Sequence, residues 1–307
     1  MSKLFSFIQY FLPHHLITRF MGVFAESKSV KNVLIRLFIR KYNVDMTEAR
    51  NTSIDQYPNF NAFFTRELRE GARPIDNNPT VIVSPADGRL LAAGRIDGDR
   101  LIQAKNHCFS CNDLLGGNNF LASTFSDGSF ATIYLSPKDY HRVHMPLKGT
   151  LIKTIHIPGR LFSVGFATSS NIPNLFARNE RLVCLFSTDA GLFSLILVGA
   201  MVVGSIKTVW TKEAPKVLAT PEIKEIDYKS QEIKVNLDKG AEVGRFELGS
   251  TVIVLFEQKL IKGTAAHRFA QAIISVEATR RRVRLHLIRV STRCKNTEYV
   301  TYHKLFP

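Results

Sequence analysis

The pattern of apolar residues over the first forty positions predicts helices. Apolar side chains recur there at helical spacing in three runs, and Pro13 separates the first run from the second. Lys and Arg side chains accompany the apolar faces, as is typical of helices that lie on an anionic bilayer surface. Packing of the same faces on the rest of the protein explains the pattern equally well. The runs are Leu4, Phe5, Ile8, Phe11 and Leu12; Leu16, Ile17, Phe20, Met21 and Phe24; and Val30, Val33, Leu34, Leu37 and Phe38.

Beyond residue 80 the pattern changes to short β-rich runs between turn residues, over 81–83, 130–135, 182–186, 193–203 and 251–256. None reaches the roughly 18 apolar residues of a membrane-spanning helix, and the start of the chain lacks a signal peptide. The run at 193–203, which contains Gly199, is expected to be a buried strand. We therefore expect an α+β fold. Amphipathic helices over residues 1–75 would precede a β-rich domain, residues 76–307.

Charge narrows the class of partner. The chain has 41 Lys and Arg residues against 26 Asp and Glu, a formal net charge of +15. Such an excess favours nucleic acid, an acidic lipid surface or a phosphorylated substrate as partner. A nucleic-acid-binding protein is the main alternative from another class, but the sequence has neither a helix-turn-helix nor an aromatic RNP motif. Cys108 and Cys111 form a lone C-x-x-C without a second ligand pair, so no metal site is expected.

Three short segments have residues suited to catalysis. The segment 248–251 reads L-G-S-T, so Ser250 stands at a turn-to-strand junction directly after Gly249, which has no Cβ. The segment 136–146 reads S-P-K-D-Y-H-R-V-H-M-P, and its two histidines, His141 and His144, can serve as base and acid near neutral pH. The turn S-P-A-D-G-R at 84–89 contains Asp87, whose carboxylate could orient an imidazole.

Each segment has an ordinary structural explanation when taken alone. Gly-Ser turns are structural far more often than catalytic, and an aspartate before glycine commonly just forms the turn. Two histidines three residues apart could be a metal pair or hydrogen-bonded surface residues. A serine hydrolase with the same three residue types is a further alternative, which the absence of a G-x-S-x-G nucleophile elbow disfavours.

Taken together and in this order, the segments resemble the bacterial phosphatidylserine decarboxylase family. The matches between them are F-N-A-F-F at 60–64, R-P-I-D at 73–76, Q-A-K at 103–105, P-N-L-F-A-R-N-E-R at 173–181 and V-G-S-I at 203–206, with Trp210 following. The resemblance implies that Asp87, His144 and Ser250 form a charge-relay triad that cuts the chain between Gly249 and Ser250. It also implies that Ser250 then becomes a covalent pyruvoyl group, the cofactor of the enzyme.

The same resemblance implies the substrate and the setting of the reaction. The pyruvoyl group would form a Schiff base with phosphatidylserine, release CO2 and yield phosphatidylethanolamine, and His141 would position the substrate or protonate it. The two derived chains, 1–249 and 250–307, would stay associated, and the enzyme would be a homodimer without a nucleic-acid partner. A two-chain lipid stays in the bilayer, so we expect a peripheral protein on the cytoplasmic side of the inner membrane, docked through the N-terminal helices.

The resemblance fades after Phe256, where the chain continues as an atypical basic tail over about 257–307. Eight Lys and Arg residues lie between Arg280 and Lys304, with only Glu298 against them. Such a tail is expected to bind anionic lipid, or simply to be a solvated basic surface. A frameshifted ending is the other interpretation, and it would make the protein a maturation-defective pseudoenzyme of the same family.

Overall fold

A computed structural model describes residues 2–79, 81–104, 107–201, 205–211, 222–230, 234–247, 250–260, 288–294 and 297–303. Gly249 and most of the basic tail therefore lie outside the described residues. The described helices and strands follow the α+β prediction, with helices first and a strand-built region after them.

The N-terminal region is helical and has a small core of its own. Pro13 interrupts the apolar pattern as expected, because it stands at the start of the second helix. The core joins the third and fourth helices through buried side chains such as Ile35 and Phe63. No described helix has both the length and the apolar content needed to cross a membrane. The helices are α1 (Ser2–Ile8), α2 (His14–Glu26), α3 (Lys31–Tyr42) and α4 (Phe60–Phe64), with a 3-10 turn at Ile54–Gln56.

Most of the strands form one large antiparallel sheet, in the order β10-β6-β7-β8-β13-β4-β1-β15-β14, with β11 paired to β6. A second sheet has the order β5-β12-β9, and β2 pairs with β3. The strands are β1 (Arg89–Arg95), β2 (Arg100–Ala104), β3 (His107–Ser110), β4 (Ser129–Leu135), β5 (Arg142–His144), β6 (Gly149–Ile157), β7 (Arg181–Thr188), β8 (Gly191–Val198), β9 (Ser205–Thr208), β10 (Lys224–Asp227), β11 (Asn236–Leu237), β12 (Glu242–Glu247), β13 (Ser250–Phe256), β14 (Ile288–Cys294) and β15 (Thr297–His303).

Short helices pack around the sheets and complete the strand-built region. The main core is formed by apolar side chains of the large sheet, including Phe130, Ile196 and Val254. These helices are α5 (Cys111–Leu114), α6 (Asn119–Phe125), α7 (Phe166–Ser169) and α8 (Leu175–Arg178), with a 3-10 turn at Gln258–Leu260.

Two of the predicted strands differ from the structure. Residues 81–83 form no strand; their backbone hydrogen bonds are loop contacts, such as that from the amide of Val83 to the carbonyl of Pro146. The run predicted over 193–203 ends earlier, at Val198, because the amide of Gly199 leaves the ladder and donates to Glu180 O. Apolar composition predicted both runs, but strand formation also needs a neighbouring strand in register.

Residues 288–294 and 297–303 of the tail belong to the large sheet. Strands β14 and β15 form an antiparallel hairpin, and Val300 pairs with Ala93 of β1. At the backbone level these residues therefore extend an existing sheet edge. The remaining positions of the predicted basic tail, 261–287, 295–296 and 304–307, lie outside the described residues.

Strand β13 lies inside the large sheet, between β4 and β8. Each of its residues is buried, as its continuous apolar sequence requires. Its first residue, Ser250, is in register with Leu135 at the end of β4. Strand β12 ends at Glu247, so the two positions between Glu247 and Ser250 connect the small sheet to the large one. The predicted cleavage site thus joins two sheets.

Candidate active site

Ser250 begins β13 and its side chain is completely buried, with 0% exposure. Its Oγ has no hydrogen-bond partner among the described residues. A buried hydroxyl without a partner costs free energy, so its presence at the start of a central strand needs an explanation. The neighbouring Thr251 Oγ1 is buried and unpartnered in the same way. Leu248 and Gly249, which precede this serine, are not described.

His144 ends β5, and both of its ring nitrogens are engaged. Its Nδ1–H donates to the carbonyl oxygen of Gly240 at 2.8 Å, because a carbonyl can only accept. The hydroxyl of Tyr140 lies 3.1 Å from Nε2 and donates to it, and the two rings are stacked. Burial lowers the pKa of His144 below its ordinary value. The imidazole is therefore neutral, with its lone pair at Nε2, as a general base requires.

Asp87 lies in the turn before β1, where the structure explains the glycine that follows it. A Cβ on Gly88 would lie 2.3 Å from the carbonyl oxygen of Tyr134, so no larger residue fits the turn. The carboxylate of Asp87 accepts from Arg73, with Nη2 at 2.7 Å and Nε at 3.0 Å from Oδ2. Burial raises the pKa of Asp87 to about 6, and the Arg73 charge opposes that rise.

The segments that hold Asp87, His144 and Ser250 adjoin one another. The backbone amide of His144 donates to Pro85 O at 2.7 Å, which places β5 beside the turn that contains Asp87. Leu135, the register partner of Ser250, leads directly into the segment that contains His144. The side chain of His144 bonds to Gly240 and Tyr140, so a relay from Asp87 to Ser250 requires the imidazole to exchange these partners.

His141 is fully buried beneath α4. Its Nδ1–H donates to the carbonyl oxygen of Asp139 at 2.8 Å, and the ring of Phe64 lies 4.0 Å away between centroids. Its Nε2 is buried without a partner among the described residues. Burial lowers the pKa of His141 to about 3, and the nearby charge of Arg66 lowers it further. This imidazole is neutral, and its free lone pair points to a role as acceptor.

Sequence reasoning missed several polar residues of the site. The hydroxyl of Tyr140 hydrogen-bonds to His144. Arg73 bridges Asp87 to Glu48, and its Nη1 lies 2.9 Å from Glu48 Oε1. Asp139 accepts from both the amide and the hydroxyl of Ser136, which shapes the loop after β4. Tyr140 and Asp139 lie inside the motif already singled out and Arg73 inside R-P-I-D, so their positions were visible although their contacts were not. In the described ranges no three His, Cys, Asp or Glu side chains gather as a metal site.

Comparison with known proteins identifies the family. A family model described as phosphatidylserine decarboxylase matches residues 60–275, and one described as PSD matches residues 4–43. The phosphatidylserine decarboxylase proenzyme of Pseudomonas fluorescens is 52% identical over 261 residues, which are 83% of this chain and 89% of the relative. Proenzymes of the same name from Pseudomonas putida and Bordetella pertussis are each 51% identical over 267 residues, 85% of this chain and 91% and 88% of theirs. The resemblance seen in the motifs is confirmed: this chain belongs to the phosphatidylserine decarboxylase family.

Proposed function

We propose that this chain is a phosphatidylserine decarboxylase proenzyme that cuts itself between Gly249 and Ser250 and then converts phosphatidylserine to phosphatidylethanolamine. The observation that supports this most directly is the Ser250 hydroxyl, buried and unpartnered at the start of a central strand. A hydroxyl held there without a structural bond is free to react with the peptide bond before it. The matched proenzymes are named for the same activity.

In the self-cleavage step, His144 takes the proton from Ser250 Oγ, which attacks the carbonyl carbon of Gly249. The peptide nitrogen accepts a proton and the acyl group moves from nitrogen to oxygen, forming an ester. Loss of the α-proton of Ser250 then breaks the Cβ–O bond and releases Gly249 as a carboxylate. The remaining dehydroalanine is hydrolysed to a pyruvoyl group and ammonia. Asp87, once ionised, stabilises the imidazolium that forms on His144.

In the decarboxylation step, a pyruvoyl carbonyl at position 250 supplies the electron sink that no natural side chain offers. Ser250 is completely buried, so the carbonyl would react away from bulk solvent. His141 supplies an acceptor at Nε2 and has no proton there to give, because Nδ1 holds the proton that bonds to Asp139 O. We therefore favour positioning of the substrate over protonation as the role of His141.

The described contacts also support association of the two chains after cleavage. Strand β13 pairs with β4 along one side and with β8 along the other. The piece that starts at Ser250 would therefore remain bound to the piece that ends at Gly249 through two backbone ladders. A homodimer is part of the proposal on the family resemblance alone.

Docking to a membrane is proposed for the N-terminal helices. Their apolar side chains are exposed although the helices contact the rest of the protein, as is expected of a surface that enters the lipid interface. With the family's lipid substrate, this favours a peripheral protein on the cytoplasmic side of the inner membrane. The exposed residues are Leu4, Phe5, Phe7, Ile8, Phe11, Leu16, Phe20, Met21, Val23, Phe24, Val30, Val33 and Leu37.

The proposal is tested by intact mass spectrometry of the purified protein together with a phosphatidylserine decarboxylation assay. We expect two fragments that split before Ser250, the smaller one bearing a ketone instead of an amine, and release of CO2 from phosphatidylserine. Ser250→Ala should give one uncleaved chain and no CO2. A single unmodified wild-type chain would instead identify a maturation-defective pseudoenzyme, and turnover of simple esters by an uncleaved chain would identify a serine hydrolase.

A further inference from the structure

Arg66 is a buried cation whose bonding capacity is mostly unused. It follows α4 and is only 4% exposed. Its Nη2 donates to the carbonyl oxygen of Lys138 at 3.1 Å, whereas Nε and Nη1 have no partner among the described residues. The face of the Phe63 ring lies 5.5 Å from the guanidinium carbon. None of its bonds in the described ranges goes to a carboxylate.

The other buried arginines show what a purely structural guanidinium looks like in this fold. Arg181 donates to three backbone carbonyls, and Arg142 donates to Thr65 O and to the carboxylates of Glu67 and Glu242. Burying a charge without such partners costs several kcal/mol, on the order of the penalty for a desolvated ion. The carboxylates of Asp139, Asp87 and Glu48 act on the Arg66 charge through space, but none of them accepts a hydrogen bond from it among the described residues. The Nε and Nη1 groups of Arg66 are therefore available to an anion.

Arg66 lies beside the catalytic segment. Lys138, its one bonded neighbour, is three residues after Leu135, the register partner of Ser250. The charge of Arg66 acts on His141, whose unpartnered Nε2 is buried in the same neighbourhood. Unused hydrogen-bonding atoms of a cation and an imidazole therefore occur in the neighbourhood of the same segment, 136–146.

We infer that Arg66 binds the phosphodiester of the substrate headgroup, an inference that rests on the proposed function. In a phospholipid the phosphodiester separates the acyl chains from the reacting serine. Arg66 follows α4, which packs against α2 and α3, and its Nη2 donates to the segment that contains His141. It therefore connects the helices that have the exposed apolar residues to the catalytic segment. The planar fork of a guanidinium matches phosphate oxygens.

The phosphodiester is a better ligand for Arg66 than the substrate carboxylate. The carboxylate loses its charge as CO2 departs, so a cation bound to it would stabilise the substrate more than the transition state and slow the reaction. The phosphodiester keeps its charge throughout. Binding it anchors the substrate without opposing decarboxylation.

The test is calorimetric binding of two soluble probes to the full chain: glycerophosphoethanolamine, which has the phosphodiester but no carboxylate, and serine, which has the carboxylate but no phosphodiester. Arg66→Met should weaken glycerophosphoethanolamine binding by about tenfold or more, the loss expected for charge-assisted hydrogen bonds. Serine binding should not change. The melting temperature of Arg66→Met should stay level or rise, because an unpaired buried charge is removed.

Arg181→Met is the matched control, since it removes a buried arginine with satisfied bonds; it should melt at a lower temperature. The inference would be overturned if folded Arg66→Met bound glycerophosphoethanolamine with wild-type affinity, or if it lost serine binding alone. It would also be overturned if the wild-type chain did not bind the phosphodiester. If Arg66→Met fails to fold, Arg66→Lys replaces it in the test, because lysine keeps the charge but lacks the planar guanidinium fork. Unchanged affinity of Arg66→Lys for glycerophosphoethanolamine would also overturn the inference.

Self-cleavage and CO2 release, measured on the same preparations, separate this inference from the proposed function. A wild-type chain that binds the phosphodiester through Arg66 but never cleaves refutes the function alone. A chain that cleaves and decarboxylates, with the same KM for phosphatidylserine in Arg66→Met, refutes the inference alone.

Discussion

Burial acts in opposite directions on the two ionisable members of the proposed triad. It raises the pKa of Asp87 to about 6 and lowers the pKa of His144, so it favours the uncharged form of both side chains. The relay needs the carboxylate form, and the rate of self-cleavage should therefore rise with pH through about 6. Densitometry of the two fragments after synthesis of the chain at about pH 5 to about pH 8 measures this profile.

The control for the pH profile is Arg73→Gln. The Arg73 charge lowers the pKa of Asp87, so its removal should move the midpoint of the profile to higher pH. Because the folded pKa of Asp87 exceeds its ordinary value of 3.8, ionisation of this group destabilises the fold as pH rises from 3.8 through about 6. A profile that is flat through pH 6, or unchanged in Arg73→Gln, would argue against Asp87 as the relay carboxylate.

The hydroxyl of Ser250 provides a second prediction at the residue scale. It is buried without a hydrogen bond in the described part of the chain, so Ser250→Ala removes a polar group that contributes no bond. We expect the free energy of unfolding of the uncleaved variant to equal that of the uncleaved wild-type precursor, or to exceed it by up to about 1 kcal/mol. Urea unfolding of Ser250→Ala and of the wild-type precursor, both held at about pH 5 where self-cleavage is expected to be slow, makes the comparison. A clear loss of stability would mean that the hydroxyl has a structural partner.

At the scale of elements, β12 sets the position of the cleavage site, and Gly244 sets the position of β12. A Cβ at Gly244 would lie 2.2 Å from the carbonyl oxygen of Lys207 on β9, so alanine must push the two strands apart. Gly244→Ala should cost about 1–3 kcal/mol and slow self-cleavage on the order of tenfold or more. Unfolding midpoints measure the loss of stability, and time courses of fragment formation measure the rate of self-cleavage.

Gly22→Ala is the matched control for Gly244→Ala. Gly22 lies in helix α2, and a Cβ added there would meet nothing within 4 Å, so alanine should stabilise the helix by roughly 1 kcal/mol and leave cleavage unchanged. Equal cleavage rates in both variants would show that β12 tolerates displacement.

At the scale of the whole molecule, the exposed apolar residues are concentrated on the N-terminal helices. Phe11 and Phe20 are 75% and 65% exposed, and each would contribute about 2 kcal/mol when buried in lipid. The double variant Phe11→Ser/Phe20→Ser should lose on the order of a thousandfold in partitioning to phosphatidylserine vesicles. Flotation of the protein with the vesicles measures this partitioning.

Phe120 gives the flotation experiment its control. It is 85% exposed, more than Phe11 in the turn after α1 or Phe20 in α2, but it belongs to α6 in the strand-built region. Phe120→Ser should float as the wild type does. If Phe120→Ser and the double variant lose vesicle binding alike, exposure alone governs it and the helices are not the docking surface.

Local sequence determined much of this protein. The apolar spacing predicted the N-terminal helices and Pro13 their interruption, and turn residues between apolar runs predicted a strand-built remainder. These features depend on side-chain periodicity and backbone restriction, which act over a few residues. The order of the motifs identified the family, because a set of short matches in one order is specific even where each match is common. The residues proposed for catalysis were visible in the same way.

The tertiary structure decided which polar atoms are satisfied and which are not. Pairing of β13 between β4 and β8 buries the Ser250 hydroxyl, and packing of α4 on the catalytic segment buries His141 and Arg66. The partners of His144 and Asp87, Tyr140 and Arg73, follow from the same arrangement. Burial and hydrogen bonding depend on segments far apart in sequence, and pKa values follow from them. For that reason the sequence determined which groups are present, and only the fold decided their charge, their partners and their freedom to react.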